Sequence, residues 1–154
     1  MFLIDTNILA AEILKEFETD QLTRDYLALY NGIPLMKRVI PDFILSEFET
    51  LITQAVPSRY NLTDDQRRNM KNITTEYMKR IIEEHTVMTP TITTVKDAFS
   101  LYQRYTKLGY ISFTDSLVLA LARQNDYAIV SKDQRLKSKA KDLEIACFEP
   151  QVNT

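Results

Sequence analysis

Residues 2–7 read Phe2-Leu3-Ile4-Asp5-Thr6-Asn7, a stretch that contains both a strand and the start of a helix. Three consecutive apolar residues predict a short strand that enters the core. The next three residues are types that cap helix N-termini, and the apolar residues after them recur at helical spacing. An aspartate therefore lies where a buried strand ends and a helix begins.

The change from strand to helix recurs along the chain and predicts its fold. We expect further strands at 38–40, 86–88, 127–130 and 144–148, and helices at 22–30, 41–54, 66–84, 94–107 (ended by Gly109) and from Asp115 onwards. Strands that alternate with helices predict an α/β fold: three layers, with a mainly parallel central sheet flanked by helices on both faces. In such sheets, ligands bind beyond the carboxyl ends of the strands.

A chain of 154 residues fits one domain, which we place at 1–150, with a tail at 151–154. The segment 57–85 is predicted as a helical insertion or extended connection. It begins with a polar loop at 58–65 and continues as a charged helix with a thin apolar stripe at Met70, Ile73, Tyr77 and Ile81. Such a helix covers the edge of the domain or contacts a partner.

Scarce residues exclude several classes of function. Two glycines are too few for a Walker loop or a dinucleotide fingerprint, and one histidine excludes a histidine-pair ribonuclease. The single cysteine, Cys147, excludes an intrachain disulfide and a four-cysteine zinc site, and suits a reducing compartment. We find neither a signal peptide nor the roughly 20 apolar residues of a membrane-spanning helix, and we expect a cytoplasmic protein without membrane contact. Carboxylates are the remaining agents of any chemistry.

Four acids are candidates for a site. Asp5 follows the first strand, but its alternative role as a helix cap is equally common. Glu47 is three residues after Ile44 and four before Leu51, so it projects from the apolar face of its helix or from the margin of that face. A buried carboxylate needs a partner, and no basic residue is an obvious one in the sequence. We therefore favour a site role for Glu47.

The other two acids are, taken singly, more often caps than ligands. Asp115 follows Ser112 at capping-box spacing, and Asp133 follows a strand by three residues. Together the four acids indicate more, because Asp5 and Asp133 follow strands that we expect to be central. Two carboxylates about 4 Å apart repel by roughly 4 kcal/mol at an effective dielectric of about 20, so a cluster requires a cation. Oxygen ligands favour Mg²⁺ or Mn²⁺ over zinc.

In four stretches the sequence resembles the PIN-domain family, and more narrowly its VapC-type toxin ribonucleases. The order, spacing and placement of the acids match that family over nearly the whole chain. The matching stretches are Phe2-Leu3-Ile4-Asp5-Thr6-Asn7, Ile40-Pro41-Asp42-Phe43-Ile44-Leu45-Ser46-Glu47-Phe48, Phe113-Thr114-Asp115-Ser116-Leu117-Val118-Leu119-Ala120-Leu121-Ala122 and Ala128-Ile129-Val130-Ser131-Lys132-Asp133. The segment 57–85 departs from the smallest toxins of the family, because it is longer.

The resemblance implies a Mg²⁺- or Mn²⁺-dependent endoribonuclease that hydrolyses RNA phosphodiester bonds. It puts Asp5, Glu47, Asp115 and Asp133 in the metal-binding, catalytic quartet, with Asp5 and Asp133 as direct ligands and Glu47 as ligand or water-orienting group. It implies polar supporting roles for Asn7 and Ser131. It also implies a homodimer, and a cognate antitoxin that inserts a segment into the acidic cleft.

Substrate contacts follow from the surroundings of the last acid. Five basic residues and one acid lie between Lys132 and Lys141, and a solvated helix face is the commoner meaning of such a run. Beside an acidic cleft, Lys132, Arg135 and Lys137 are the cations we expect to contact RNA phosphates. Tyr110 and Phe113 are candidates to stack on an unpaired base, although core packing is the commoner role.

Three alternatives remain at the level of the sequence. One is a housekeeping PIN-domain ribonuclease without an antitoxin. Another is a non-catalytic PIN-like binding module, which the presence of all four acids disfavours. A haloacid-dehalogenase-type phosphatase is the weakest, because it requires an aspartate two residues after Asp5, where Asn7 stands.

Overall fold

A four-stranded parallel sheet forms the centre of this computed structural model, which describes residues 1–15, 20–106 and 111–150. Across the sheet lie β3 (Thr86–Met88), β2 (Arg38–Pro41), β1 (Phe2–Ile4) and β4 (Ala128–Val130), in that order. Leu3 pairs in register with Val39 on one side and with Ile129 on the other. All three side chains are buried, as expected for strands covered on both faces.

Helices connect and surround the strands, so the predicted α/β class is confirmed. Most α-helices overlap the predicted ranges, with ends that differ by up to four residues. A 3₁₀ turn (Leu35–Lys37) and a π-helical turn (Leu51–Ala55) complete the connections. The α-helices of the described residues are α1 (Thr6–Leu14), α2 (Gln21–Gly32), α3 (Asp42–Thr50), α4 (Val56–Arg59), α5 (Asp64–Glu84), α6 (Ile92–Thr106), α7 (Phe113–Asn125) and α8 (Gln134–Asp142). No described helix is long and apolar enough to cross a membrane. The predicted helix end at Gly109 lies outside the described residues.

The connection 57–85 is more helical than predicted. The expected loop 58–65 contains the end of α4, and α5 begins at Asp64 behind a reciprocal capping box in which Thr63 and Gln66 each bond the other's backbone. The expected stripe of α5 is wrong at Ile73, which is 45% exposed. Thr74 is buried in its place, since its hydroxyl can donate to the carbonyl of Met70 (2.8 Å) and so needs no water.

The C-terminal strand and the position of β4 differ from the prediction. The segment 144–148 makes one isolated bridge, between Cys147 and Ile129, instead of a strand. Glu144 has a φ of 58°, in the left-handed region, so extended backbone begins only after it. β4 therefore lies at one end of the sheet and is not a central strand, whereas β1 is central as predicted.

Candidate active site

Asp5 and Ser131 follow two neighbouring parallel strands and meet at the same edge of the sheet. Asp5 comes directly after β1, and its backbone N–H donates to the carbonyl of Val130, the last residue of β4 (3.1 Å). The side chains of Asp5 and Ser131 are only 8% and 1% exposed. The carboxyl ends of β1 and β4 thus bring residues 126 positions apart into direct contact.

The carboxylate of Asp5 is held by three hydrogen bonds. Its Oδ1 accepts from the backbone N–H of Thr6 (2.8 Å), which makes Asp5 the N-cap of α1. Its Oδ2 accepts from Asn7 Nδ2 (2.6 Å) and from Ser131 Oγ (2.5 Å). Asn7 in turn bonds Ser131 Oγ (3.0 Å) and accepts from the backbone N–H of Lys132 (2.9 Å). The alternative roles of Asp5 as cap and as site residue are therefore compatible.

Two other carboxylates act on Asp5 electrostatically. Burial is the largest cause that raises the pKa of Asp5 to about 6, and the charges of Asp115 and Glu47 raise it further. The hydrogen bonds from Ser131 and Thr6 lower this pKa and offset part of that effect. Asp5, Glu47 and Asp115 thus lie close enough to share one electrostatic environment.

Glu47 lies at the margin of the apolar face of α3, and its side chain is exposed. The expectation of a buried carboxylate is therefore wrong, because Ile44, Leu45 and Phe48 fill the buried face and leave residue 47 beside it. The carboxylate still reaches the sheet edge, where it accepts a hydrogen bond from the hydroxyl of Thr6. Glu47 is placed by this contact and not by burial.

Asp115 is the third residue of α7 and forms the predicted capping box with Ser112. Its Oδ2 accepts from the backbone N–H of Ser112 (2.7 Å), and the hydroxyl of Ser112 accepts from the N–H of Asp115 (3.0 Å). Within the described residues, its Oδ1 accepts no hydrogen bond. The capping box fixes the carboxylate in orientation while one oxygen stays available to a ligand.

Asp133 is the N-cap of α8, and it joins the network through its backbone. Its Oδ1 accepts from the N–H groups of Arg135 (2.7 Å) and Leu136 (3.2 Å), while its own N–H donates to Ser131 Oγ (3.0 Å). The side chain is exposed. Ser131 thereby connects the loop that carries Asp133 to the buried carboxylate of Asp5.

The predicted phosphate-binding cations differ in what they contact. The ammonium of Lys132 donates to Thr23 Oγ1 (2.9 Å), and that of Lys137 donates to Tyr26 Oη (2.9 Å) and pairs with Glu149 (2.6 Å). Arg135 is exposed, and its side chain makes no hydrogen bond or ion pair with the described residues. Arg135 is therefore the most accessible of the three for a substrate phosphate.

The two predicted stacking residues flank the start of α7. Phe113 is 38% exposed and packs edge-on against Tyr102, with ring centroids 5.9 Å apart. Tyr110 lies outside the described residues. Phe113 thus combines partial packing with an exposed ring.

The donor set at this edge fits a hard divalent cation. All candidate ligands are carboxylate oxygens, and no lysine or arginine of the described residues bonds or ion-pairs with Asp5, Glu47 or Asp115. Within the part of the chain that the structure describes, these three carboxylates, of which Asp5 is buried, thus lack a protein cation. Among the residues described, however, no three acidic, histidine or cysteine side chains converge as a direct metal cage. This arrangement suits Mg²⁺, which keeps several of its waters and takes few direct protein ligands.

Thr6 is the site residue that the sequence did not single out. Its hydroxyl donates to Glu47 and its backbone N–H to Asp5, so one residue touches two acids of the quartet. The only signal is its place between Asp5 and Asn7. Which of these three residues contacts α3 depends on how α1 packs, and this packing cannot be predicted from the sequence.

The chain belongs to the PIN-domain family, since the family model of the PIN domain matches residues 2–142. Its fold is similar to that of Mycobacterium tuberculosis VapC20, described as a sarcin-ricin loop cleaving toxin, with a TM-score of 0.68 and 16% identity over 90% of this chain and 95% of that one. FitAcB of Neisseria gonorrhoeae gives a TM-score of 0.69 with 16% identity, over 97% of this chain and 98% of that one.

VapBC2 of Rickettsia felis, solved with a DNA fragment from its promoter, gives a TM-score of 0.59 with 15% identity, over 96% of either chain. At identities this low the likeness concerns the fold. No curated protein sequence gives a significant match.

Proposed function

We propose that the protein is a metal-dependent endoribonuclease that hydrolyses RNA phosphodiester bonds, and that it is the toxin of a VapBC-type toxin–antitoxin pair. The observation that carries the proposal is the buried carboxylate of Asp5, which is held by Asn7 and Ser131 and lies near two further acids, with no cation paired to the three acids among the described residues. A carboxylate that only caps a helix needs neither burial nor two neighbouring carboxylates. Membership of the PIN-domain family supports the same conclusion.

Asp5, Glu47, Asp115 and Asp133 would hold Mg²⁺ or Mn²⁺, partly through water. The bound cation would lower the pKa of a coordinated water and offset charge on the phosphate in the transition state. Asn7 and Ser131 hold Oδ2 of Asp5 in place and favour its ionised form. Glu47, which is exposed and accepts a hydrogen bond from Thr6, would orient the attacking water. Arg135 would attract the substrate phosphate.

The test is the variant Asp5→Asn, which keeps the shape of the side chain and removes its charge. We expect cleavage of single-stranded RNA in Mg²⁺ or Mn²⁺ to be lost while the circular dichroism spectrum stays that of the folded protein. Asp65→Asn, on the exposed face of α5, is the matched control and should cut at the wild-type rate. Cleavage by Asp5→Asn at the wild-type rate would show that the assigned site is wrong.

The toxin role is separate from the chemistry and has its own test. Its support comes from the fold neighbours VapC20, which is described as a toxin, and VapBC2. Expression of the wild type should arrest growth, expression of Asp5→Asn should not, and a protein encoded beside it should relieve the arrest. Active cleavage without growth arrest would instead assign a housekeeping ribonuclease.

An apolar stripe on α6 supports the homodimer that the family resemblance implies. Ile92, Val95 and Phe99 are 72%, 37% and 51% exposed and are spaced by three and four residues. This is the spacing at which one helix packs along another. We propose that the second copy covers this stripe.

A further inference from the structure

A cleft of about 750 Å³ adjoins the acidic edge and is not used by the mechanism proposed above. One wall is α3 with the π-helical turn that follows it, and the other is the first turn of α7, at Thr114. These are the elements that carry Glu47 and Asp115. Glu47 itself lines the cleft, so a group bound there lies directly beside the acids. We call this space the α3–α7 cleft.

The chemistry of the α3–α7 cleft suits a flat, neutral, hydrogen-bonding group. Phe43 and Leu51 give it partly exposed apolar surface. Ser46, Gln54 and Thr114 also line it, and within the described residues their side chains make no hydrogen bonds. Apolar surface with a few polar groups is the usual composition of a small-molecule site.

The charges of the cleft discriminate between parts of a nucleotide. Among the described residues, no lysine or arginine lines it, and Glu47 is the one charged side chain that does. A phosphate would therefore be repelled. A base carrying an exocyclic amine can instead donate to Glu47 and exchange hydrogen bonds with Gln54. The polar groups also make the cleft less suited to an apolar protein segment, since such a segment would bury them without partners.

The π-helical turn is an independent sign of function at this wall. Leu51, Gln54 and Ala55, three of its five residues, line the cleft. One extra residue in a helical turn rotates everything after it by about 100°, so the turn decides which side chains face the cleft. Such turns are uncommon and occur frequently at functional sites.

We propose that the α3–α7 cleft binds one unpaired nucleobase of the RNA, next to the phosphodiester that is cut, and that Gln54 selects which base is accepted. This inference rests on the ribonuclease function proposed above. It adds a specificity determinant that contacts substrate but does not take part in the chemistry.

The test is cleavage of a pool of single-stranded RNA of random sequence, with cut positions mapped by sequencing the ends. The wild type should prefer particular bases at one position next to the cut. Gln54→Ala should change the preference at that position by roughly tenfold, as expected for the loss of hydrogen bonds to a base edge, and at no other position. Gln103→Ala, an exposed glutamine on α6, is the matched control and should keep the wild-type preference.

A second variant, Ala55→Trp, fills the cleft and should lower kcat/KM for RNA, with the oligomeric state unchanged in light scattering. A wild type that cuts without base preference next to the cut, or a preference that Gln54→Ala leaves intact, overturns the base-binding site but not the ribonuclease. Altered self-association of Ala55→Trp with normal cleavage also overturns it, since the cleft would then be a protein contact. A wild type that cuts no RNA overturns both proposals.

Discussion

At the scale of single residues, Asp5 combines a structural cost with its proposed function. Burial and two neighbouring carboxylates raise its pKa to about 6, from an ordinary value of 3.8. Between these values the folded chain binds more protons than the unfolded chain, so Asp5 makes the protein less stable as pH rises through this window. We expect Asp5→Asn, without divalent ions, to be more stable than the wild type at pH 7 by about 1–3 kcal/mol, and to lose this advantage near pH 4. Urea denaturation at the two pH values measures it.

Divalent ions provide the control for this prediction. Mn²⁺ should raise the denaturation midpoint of the wild type, because it binds the folded state, and should leave Asp5→Asn nearly unchanged. Lower stability of Asp5→Asn than of the wild type at pH 7 in the absence of metal would contradict the assigned burial cost.

His85, the only histidine, is predicted to stay neutral in the folded protein. Its Nε2 lies 3.4 Å from Arg38 Nη1 and 3.3 Å from Tyr30 Oη, and a guanidinium can only donate, so Nε2 must accept. Burial and then the charge of Arg38 lower the pKa of His85 below its ordinary 6.5. The unfolded chain therefore binds more protons below about pH 6.5, and His85 reduces stability as pH falls through that value.

Proton NMR of the single imidazole tests this directly. The titration midpoint should lie below 6.5 in the wild type and should move upward in Arg38→Gln, which removes the neighbouring charge. A midpoint at or above 6.5 in the wild type would mean that the Arg38–His85 contact is not present in solution.

The position of a site residue was predictable where the residue directly follows a strand. Asp5, Asn7 and Ser131 follow strands that their apolar runs reveal, and the structure brings all three into contact. Thr6 and the exposed position of Glu47 were not predictable, because both depend on how α1 and α3 pack. The local sequence pattern predicts which face of a helix is buried. It does not predict what a long side chain at the margin of that face will contact.

At the scale of elements, the stripe on α6 predicts how the chain associates. Phe99→Glu places a charge in the middle of the exposed stripe, and burying an unpaired charge in an interface is costly. We expect the wild type to be a dimer and Phe99→Glu a folded monomer in light scattering. Phe148→Glu, another exposed phenylalanine, is the matched control and should remain dimeric. A Phe99→Glu dimer as stable as the wild type would place the interface elsewhere.

The π-helical turn shows what element prediction misses. Pro57 lacks an N–H and cannot complete the helical bond to the carbonyl of Thr53, so an interruption near 53–57 is readable from the sequence. The form of the interruption is not, since a loop, a kink and a π turn all satisfy the same constraint. The packing of residues 51–59 on α3 and α5 decides between them, and the sequence alone cannot weigh that packing.

At the scale of the whole molecule, a net charge of −2 leaves RNA binding to a few local cations. Because Lys132 and Lys137 already contact Thr23, Tyr26 and Glu149, Arg135 should carry a large share of the contact to phosphate. Arg135→Ala should weaken binding of single-stranded RNA to a similar degree for every sequence, and should lower the slope of log affinity against log salt by about 0.7. Fluorescence anisotropy of a labelled oligonucleotide over a salt series measures both.

Arg59→Ala, another exposed arginine, is the control for that experiment and should leave the slope unchanged. An unchanged slope in Arg135→Ala would assign the phosphate contact to other residues.

The topology was predictable only in part. Alternating strands and helices predict a parallel sheet, and the structure has one. The order β3-β2-β1-β4, with β4 at one end, was not predictable, because several strand orders share the same alternation of strands and helices. The wrong position predicted for β4 does not affect the site, because the contact between Asp5 and Ser131 requires only that their strands be neighbours.

The link between Asn7, Asp5 and Ser131 joins the two ends of the domain. A ribosome that has reached only Val130 has made a chain in which Asp5 has neither Ser131 nor the loop of Asp133 beside it. During synthesis the carboxylate of Asp5 therefore lacks the hydrogen bond from Ser131 until the residues that follow β4 have been added. For the ribonuclease proposed above, this order of assembly would keep the site incomplete until the chain has passed β4.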